Sequence, residues 1–191
     1  MYRLDLMRII MSLDYSIYLS HIENFNRHDC EKYFAELGLN VEMCPDYSLT
    51  EDTGFFPIKL SSNFLNDSNL MMPLVSGFEL FCSDYTPPLR KKSIFEKLFQ
   101  KKQDIAEGLP KELLKCDSVL NLYCFETLEV LTVFAFAAYV VKTCDGVFEN
   151  AQIERFYTTE EEVKAVFYGA FREILDENDK DQLIFHEFVS W

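Results

Sequence analysis

The chain has 191 residues, of which 49% are hydrophobic, and its net charge is −14 at pH 7. This length predicts one domain, 1–191, with enough chain to bury a core, and the hydrophobic content excludes a disordered protein. The acidity, with a pI near 4.6, disfavours nucleic acid as a direct ligand. No apolar run reaches the roughly 20 residues of a membrane helix, so no membrane contact is expected.

The first half of the chain predicts several short strands and one capped helix. The first patterned strand begins after Met11, which makes Met11 an alternative start. A helix is predicted from Asn26, which caps it, to Gly38, which ends it. Pro57 indicates an edge position or a bulge in its strand. The predicted strands of this half are 14–20, 39–44, 54–60 and 76–82.

Two prolines at 87–88 mark a boundary, and the charge changes sign after them. Residues 90–115 hold eight basic and four acidic side chains. Within this stretch, 90–102 predicts a basic amphipathic helix whose lysines are solvated. A membrane-surface role for that helix is disfavoured, because its apolar face is short and the protein is acidic.

The second half centres on a helix over 127–143 that is apolar almost all round. Such a helix must be covered on several sides, so we expect it at the centre of the fold. A strand over 118–125 precedes it, and a turn with a strand follows within 144–152. A further helix begins after Thr158 or Thr159, with a glutamate closing a capping box. Residues expected to be nearly fully buried are Leu131, Phe134, Ala138 and Val141.

These elements predict an α+β fold, because strands follow one another with few helices between them. An antiparallel or mixed sheet is expected to pack against the central apolar helix, with additional amphipathic helices around it. The aromatic residues of 54–56 and 76–81 belong either to the core or to a ligand groove.

The stretch DENDKDQLIFHEF partly matches a calcium-binding EF-hand loop that starts at Asp176. Asn178 occupies the third position and Glu187 the twelfth, where oxygen ligands belong. However, Lys180 places a cation at the fifth position, and Asp181 replaces the glycine that makes the sharp turn. We therefore expect no metal here, but a solvated acidic turn before a last strand.

No motif for catalysis or for a cofactor is present. The chain contains no G-x-S-x-G, no P-loop and no G-x-G-x-x-G, so no catalytic residue and no cofactor is predicted. The six cysteines form no Cys-x-x-Cys pair, so we expect reduced thiols in a cytoplasmic protein. The three histidines have no zinc-site spacing, although a Cys–His pair assembled across the fold stays open as an alternative.

The acidic side chains concentrate towards the end of the chain, where 145–191 holds twelve acidic and four basic residues. Such a surface keeps a protein dispersed or steers a basic partner towards it. The first cluster opens a predicted helix, where carboxylates complement the helix dipole. The candidate partner-binding residues are Glu160, Glu161, Glu162, Asp176, Glu177, Asp179 and Asp181.

Three fragments carry a resemblance to a known group of proteins. They are PDYSLTEDTGFFPIKL (45–60), SGFELF (76–81) and the strand, apolar helix and DGVFENAQ unit (118–152). Their arrangement resembles small bacterial proteins that include immunity proteins of polymorphic and contact-dependent toxin systems. In those families a Gly-Gly-Val segment and an Asp-Pro-Gln turn follow the apolar helix. Gly146, Val147 and Gln152 match, whereas Asp145 replaces the first glycine and Asn150 and Ala151 stand at Asp-Pro.

The resemblance implies a non-enzymatic cytoplasmic immunity protein that neutralises a cognate toxin by direct binding. It carries over no functional residue, because the matching fragments are structural. An acidic inhibitor associates quickly with a basic nuclease-type toxin, so the charge agrees with this implication. The alternative is an enzyme or a small-ligand-binding protein whose site combines distant Cys, His and aromatic residues.

Overall fold

The computed structural model describes residues 12–61, 73–89, 105–176 and 186–191. Within them, one antiparallel sheet of eight strands packs against α-helices, which confirms the predicted α+β fold. The strands are β1 (Leu13–Leu19), β2 (Val41–Met43), β3 (Gly54–Leu60), β4 (Leu74–Asp84), β5 (Ser118–Cys124), β6 (Val147–Asn150), β7 (Arg155–Tyr157) and β8 (His186–Glu187). The helices are α1 (Arg27–Glu36), α2 (Thr127–Thr143) and α3 (Glu160–Asp176).

The sheet joins strands that are far apart along the chain. Its order is β2-β3-β4-β5-β1-β6-β7, so β1 lies between β5 and β6. The last strand, β8, pairs with Leu74 and Val75 of β4, just before the part of β4 that pairs with β5. A short strand is therefore present at 186–187, where a last strand is expected.

Helix α2 forms the centre of the core, as its all-round apolar sequence predicts. Most of its 17 residues are buried, and it contacts α1 and α3 as well as four strands. Phe136 packs on Phe78 of β4 at 5.2 Å between ring centroids, and Tyr139 packs on Tyr33 of α1 at 5.7 Å. The four residues expected to be nearly fully buried are Leu131 at 0%, Phe134 at 5%, Ala138 at 0% and Val141 at 5% exposed.

Helix α1 begins and ends where its sequence predicts. The side chain of Asn26 accepts a hydrogen bond from the backbone N–H of Asp29 at 3.0 Å, which satisfies one free donor of the first turn. The helix ends two residues before Gly38. Its inner face places Cys30 and Phe34 in the core.

All six cysteines are free thiols, as expected for a protein without a disulfide framework. The buried ones are Cys30, Cys116, Cys124 and Cys144. Among the helices of the described residues, none has the length and apolar composition needed to cross a bilayer.

Pro57 occupies a special place in β3, although β3 is not an edge strand. Strand β2 pairs with β3 only as far as Met43 opposite Ile58, so Pro57 lies just beyond that pairing. Its carbonyl accepts the N–H of Cys44, so this edge of Pro57 faces the segment after β2 and not β4. The missing N–H of Pro57 therefore removes no hydrogen bond of the β2–β3 or β3–β4 pairing. Opposite Pro57 in β4 stands Gly77, whose φ is +143°. A Cβ at Gly77 would lie 2.1 Å from the carbonyl oxygen of Phe56, so only glycine fits there.

Leu131→Ala tests the central role of α2. Leu131 is fully buried, so we expect the substitution to lower the free energy of unfolding by ~2–5 kcal/mol. Urea unfolding followed by circular dichroism measures this loss. Leu175→Ala in α3 is the matched control, because Leu175 is 38% exposed. An equal loss for both variants would contradict the placement of α2 at the centre.

Gly77→Ala tests the close approach between β3 and β4. The added methyl group meets backbone rather than a movable side chain, so we expect a loss of about 3 kcal/mol or more. Gly169→Ala in α3 is the control, since nothing lies within 4 Å of a Cβ there. Because alanine favours a helix over glycine, we expect that control to raise the free energy of unfolding by about 0.5–1 kcal/mol. Thermal unfolding of both variants shows whether the melting temperature falls for Gly77→Ala and rises for Gly169→Ala, as we expect.

Candidate functional site

The sheet has two faces with different surroundings. Successive side chains of a strand point to opposite faces, so each strand serves both. In β1, Ile17 and Leu19 enter the core beneath the helices, whereas Asp14 and Ser16 point to the other face. Among the described residues, the apolar side chains of the α-helices belong to the core cluster on the first face, and none belongs to the small cluster on the second face.

Short segments cover the two ends of the second face. At one end, Ile105 and Leu113 pack with Val147 of β6 in a small separate cluster. At the other end, the last residues of the chain lie against β3 and β4, where the ammonium of Lys59 sits 5.2 Å from the ring centroid of Phe188. Both covering segments leave the middle of the second face exposed.

Two rows of directly paired residues form this middle region, which we call the open face. The first row crosses β3, β4, β5 and β1, and it consists of Phe55, Glu79, Tyr123 and Asp14. The second row crosses β4, β5, β1 and β6, and it consists of Phe81, Asn121, Ser16 and Glu149. Paired residues of neighbouring strands lie about 4.5–5.5 Å apart, so each row is a continuous surface.

A groove of about 450 Å³ crosses the open face. Its walls include Phe81 and Tyr123, whose rings meet edge to face at 5.7 Å between centroids. Phe125, just after β5, adds a third ring, and Glu79 adds a carboxylate. Phe55, Phe81 and Phe125 are 46%, 38% and 49% exposed. Phe81 and Phe125 therefore expose large aromatic side chains at the groove, and Phe55 exposes a further ring on the same face of the sheet.

The open face is negatively charged. Its two rows contain the carboxylates of Asp14, Glu79 and Glu149, and no lysine or arginine. Asp14 accepts a hydrogen bond from Ser12, and Glu149 accepts one from the Tyr18 hydroxyl at 2.6 Å. Burial and this bond to Glu149 raise the pKa of Tyr18, so its hydroxyl stays protonated and donates. The side chain of Glu79 makes no hydrogen bond or ion pair with any other described residue.

The first predicted acidic cluster has structural partners. Glu160, whose side chain is 15% exposed, accepts a hydrogen bond from Tyr33 of α1 at 2.9 Å. The ammonium groups of Lys142 and Lys164 lie 3.3 and 3.6 Å from the same carboxylate. Burial acts to raise the pKa of Glu160, but the bonds from Tyr33 and Lys142 and the charge of Lys164 outweigh it, so the pKa is lowered. Glu160 thus ties α3 to α1 and α2.

The remaining predicted partner residues divide into three situations. Glu162 closes a capping box. Its carboxylate accepts the backbone N–H groups of Thr158 at 2.8 Å and Thr159 at 3.3 Å, and its own N–H donates to the Thr159 hydroxyl at 3.3 Å. These bonds lower the pKa of Glu162, and the bond from the Thr158 N–H has the largest effect. Glu161 is exposed, and Asp176 is the last residue of α3. Glu177, Asp179 and Asp181 lie outside the described residues, as do most of the EF-hand-like stretch and the predicted basic helix 90–102.

Five of the six thiols lack the lowered pKa of a catalytic nucleophile. Burial raises the pKa of Cys30, Cys82, Cys116, Cys124 and Cys144, whereas an activated thiol has a lowered pKa. Among the described residues, no hydrogen bond joins a cysteine to a histidine. This geometry gives no support to the Cys–His alternative.

Each histidine lies beside a carboxylate instead. The same part of the chain contains no group of three or more His, Cys, Asp or Glu side chains that could hold a metal ion. The pairs are His21 with Glu23 at 3.2 Å, His28 with Glu31 at 3.7 Å and His186 with Glu126 at 3.2 Å.

The sequence predicts part of the open face but not the rest. The aromatic residues of 54–56 and 76–81 are expected either in the core or in a groove, and in the structure some lie in the core and others on the open face. Phe56 and Phe78 are buried in the core, whereas Phe55 and Phe81 are exposed on the open face. The sequence does not predict Tyr123 as a surface residue of this site, because only the pairing of β4 with β5 places Tyr123 beside Glu79.

The positions that carry the family resemblance have local structural roles. Asp145 adopts φ +47° in the turn after α2, a left-handed conformation at the place where the resembling families have glycine. A Cβ at Gly146 would lie 3.0 Å from the carbonyl oxygen of Tyr18. Asn150 accepts a hydrogen bond from the N–H of Gln152, which an aspartate would also do. These residues shape a turn and belong to no site.

Glu160→Gln tests whether Glu160 is structural. Its folded pKa is lowered, so its charge stabilises the fold above the ordinary value of 4.5, and this contribution is lost as the pH falls through the folded pKa. We expect the substitution to lower the free energy of unfolding by about 1 kcal/mol at neutral pH and by much less near pH 3. Glu161→Gln is the adjacent exposed control, and urea titrations at both pH values give the comparison. A loss that is independent of pH would contradict the ionic role.

The chain matches no known family model, and neither curated proteins nor solved structures give a match.

Proposed function

We propose that this protein is a non-enzymatic binding protein, and specifically a cytoplasmic immunity protein that neutralises a basic, nuclease-type toxin by direct contact. The observation that carries the proposal is the open face, where exposed aromatic rings and the Glu79 carboxylate line a groove and no described lysine or arginine pairs with the carboxylates. Interfaces are enriched in aromatic residues, and such residues are seldom left exposed together without a partner.

Electrostatics support the same proposal. The net charge of −14 attracts a basic surface over a distance of about one Debye length, roughly 8–10 Å in physiological salt. Toxin nucleases hold their substrate in a basic cleft, because the substrate is a polyanion. An acidic inhibitor of such a cleft associates fast and competes with the substrate for the same charges. The resemblance of the 45–60, 76–81 and 118–152 fragments to immunity proteins points to the same class of partner.

Protection of cells tests the proposal directly. The product of a toxin gene adjacent to the gene for this chain is expressed alone and together with this protein. We expect co-expression to restore growth and the two purified proteins to form a stable complex. Failure to protect, together with failure to form a complex, would contradict the proposal.

Association kinetics test the role of charge in that complex. We expect the association rate constant to fall by about ten-fold or more between low and physiological salt, with little change in the dissociation rate. The triple variant Asp176→Lys, Glu177→Lys, Asp179→Lys reverses three charges of the predicted acidic cluster, and we expect slower association at low salt. Stopped-flow measurement shows both effects. Unchanged rates for the triple variant would remove this cluster from the interface.

A further inference from the structure

The open face has a composition that selects one kind of partner surface. We propose that the open face is the contact surface for the partner, and that it receives a segment in which Lys or Arg side chains flank an apolar residue. The inference rests on the proposed function, for which it names the surface and the chemistry that is recognised.

The position of Glu79 carries the first step. Glu79 is paired across the sheet with Phe55 on one side and with Tyr123 on the other. Neighbouring strands are about 4.8 Å apart, so a cation that pairs with the Glu79 carboxylate lies close to the Tyr123 ring, whereas the ring of Phe55 leans over Gly77. A carboxylate beside an aromatic ring binds an ammonium or guanidinium group by charge and by cation–π attraction together.

A second carboxylate repeats this arrangement. Tyr123 is paired with Asp14 of β1 on the side opposite Glu79. The two carboxylates are therefore separated by two strand spacings, about 10 Å, with the tyrosine ring between them. Two basic side chains with an apolar group between them match this row. The exposed rings of Phe81 and Phe125 extend the apolar part of the surface along the groove.

The same charges argue against other occupants. A nucleic acid would bring phosphates against Asp14, Glu79 and Glu149, which repel them. A second copy of this chain, placed face to face, would bring these carboxylates against an equal set, and like charges in contact oppose association. A basic segment is the occupant that removes both the exposed aromatic surface and the unbalanced charge.

The acidic residues of α3 are less suited to the same task. Glu160 is held by Tyr33 and by two lysines, and Glu162 accepts the N–H groups at the start of the helix. Their charges are largely engaged within the protein. The sequence marks the exposed Glu161 as a candidate for partner contact, but Glu161 lies on α3 and not on the open face, so under this assignment it is the matched control with the same charge.

Two synthetic peptides provide the probes. One is acetyl-Lys-Leu-Lys-Phe-Lys-amide, and the other replaces each lysine with glutamate. We expect the basic peptide to bind and to shift the backbone amide signals of β4 and β5, and the acidic peptide not to bind. Isothermal titration or fluorescence anisotropy gives the affinities, and a circular dichroism melt checks that each variant is folded.

Single substitutions locate the binding. We expect Glu79→Lys to weaken binding of the basic peptide by about ten-fold or more, and Glu161→Lys to change it by less than about two-fold. Tyr123→Ala is expected to weaken it by about ten-fold, whereas Tyr168→Ala, at an exposed tyrosine of α3, is expected to have little effect. Equal losses for Glu79→Lys and Glu161→Lys, or equal binding of both peptides, would overturn the proposal. So would a dimer that Glu79→Lys dissociates.

The complex with the neighbouring toxin separates this inference from the proposed function. A complex that forms with unchanged affinity for Glu79→Lys and Tyr123→Ala overturns the surface assignment but supports the function. Absence of any complex, together with the expected peptide results, contradicts the function but supports the surface. A loss of both protection and affinity in Glu79→Lys, with Glu161→Lys unaffected, supports both.

Discussion

The burial of α2 is the constraint on which the rest of the structure depends. Its side chains are apolar on nearly every side, and most of its 17 residues are buried. A sheet alone covers only one side of such a helix, so α1 and α3 must complete the cover. The fold therefore gathers its three described helices on one side of one sheet, and the stability of the whole depends on that layer.

The second face of the sheet follows from this arrangement. Because strand side chains alternate, the strands that supply the core also supply a second face, and none of the three described α-helices packs in the small cluster on it. In β5, Leu122 is buried under α2, whereas its neighbour Tyr123 lines the groove. Core and binding surface thus share the same backbone but not the same side chains. A surface of this kind changes in sequence without disturbing the core, while the rigid sheet keeps its side chains in register.

Local signals in the sequence account for much of the fold. Helix α2 and strand β3 have the bounds predicted, 127–143 and 54–60, because apolar pattern, turn residues and capping groups are local. Sheet order has no such local trace, since Leu13 pairs with Cys124 far along the chain. The same limit applies to the site. From the sequence, Glu160 is a free surface charge, because only the packing of α1 brings the Tyr33 hydroxyl to it. Glu79 is likewise an ordinary strand residue in the sequence, because only the pairing of β4 with β5 places Tyr123 beside it.

The central place of β1 sets the order in which the sheet is completed. This strand comes first along the described chain, yet its partners are β5 (118–124) on one side and β6 (147–150) on the other. During synthesis β1 leaves the ribosome with both edges unpaired, and it stays so until more than a hundred further residues have followed. Such distant pairing slows folding and leaves an apolar strand open to wrong partners. The growing chain thus exposes the core-facing side chains of β1 until α2 and β6 have emerged.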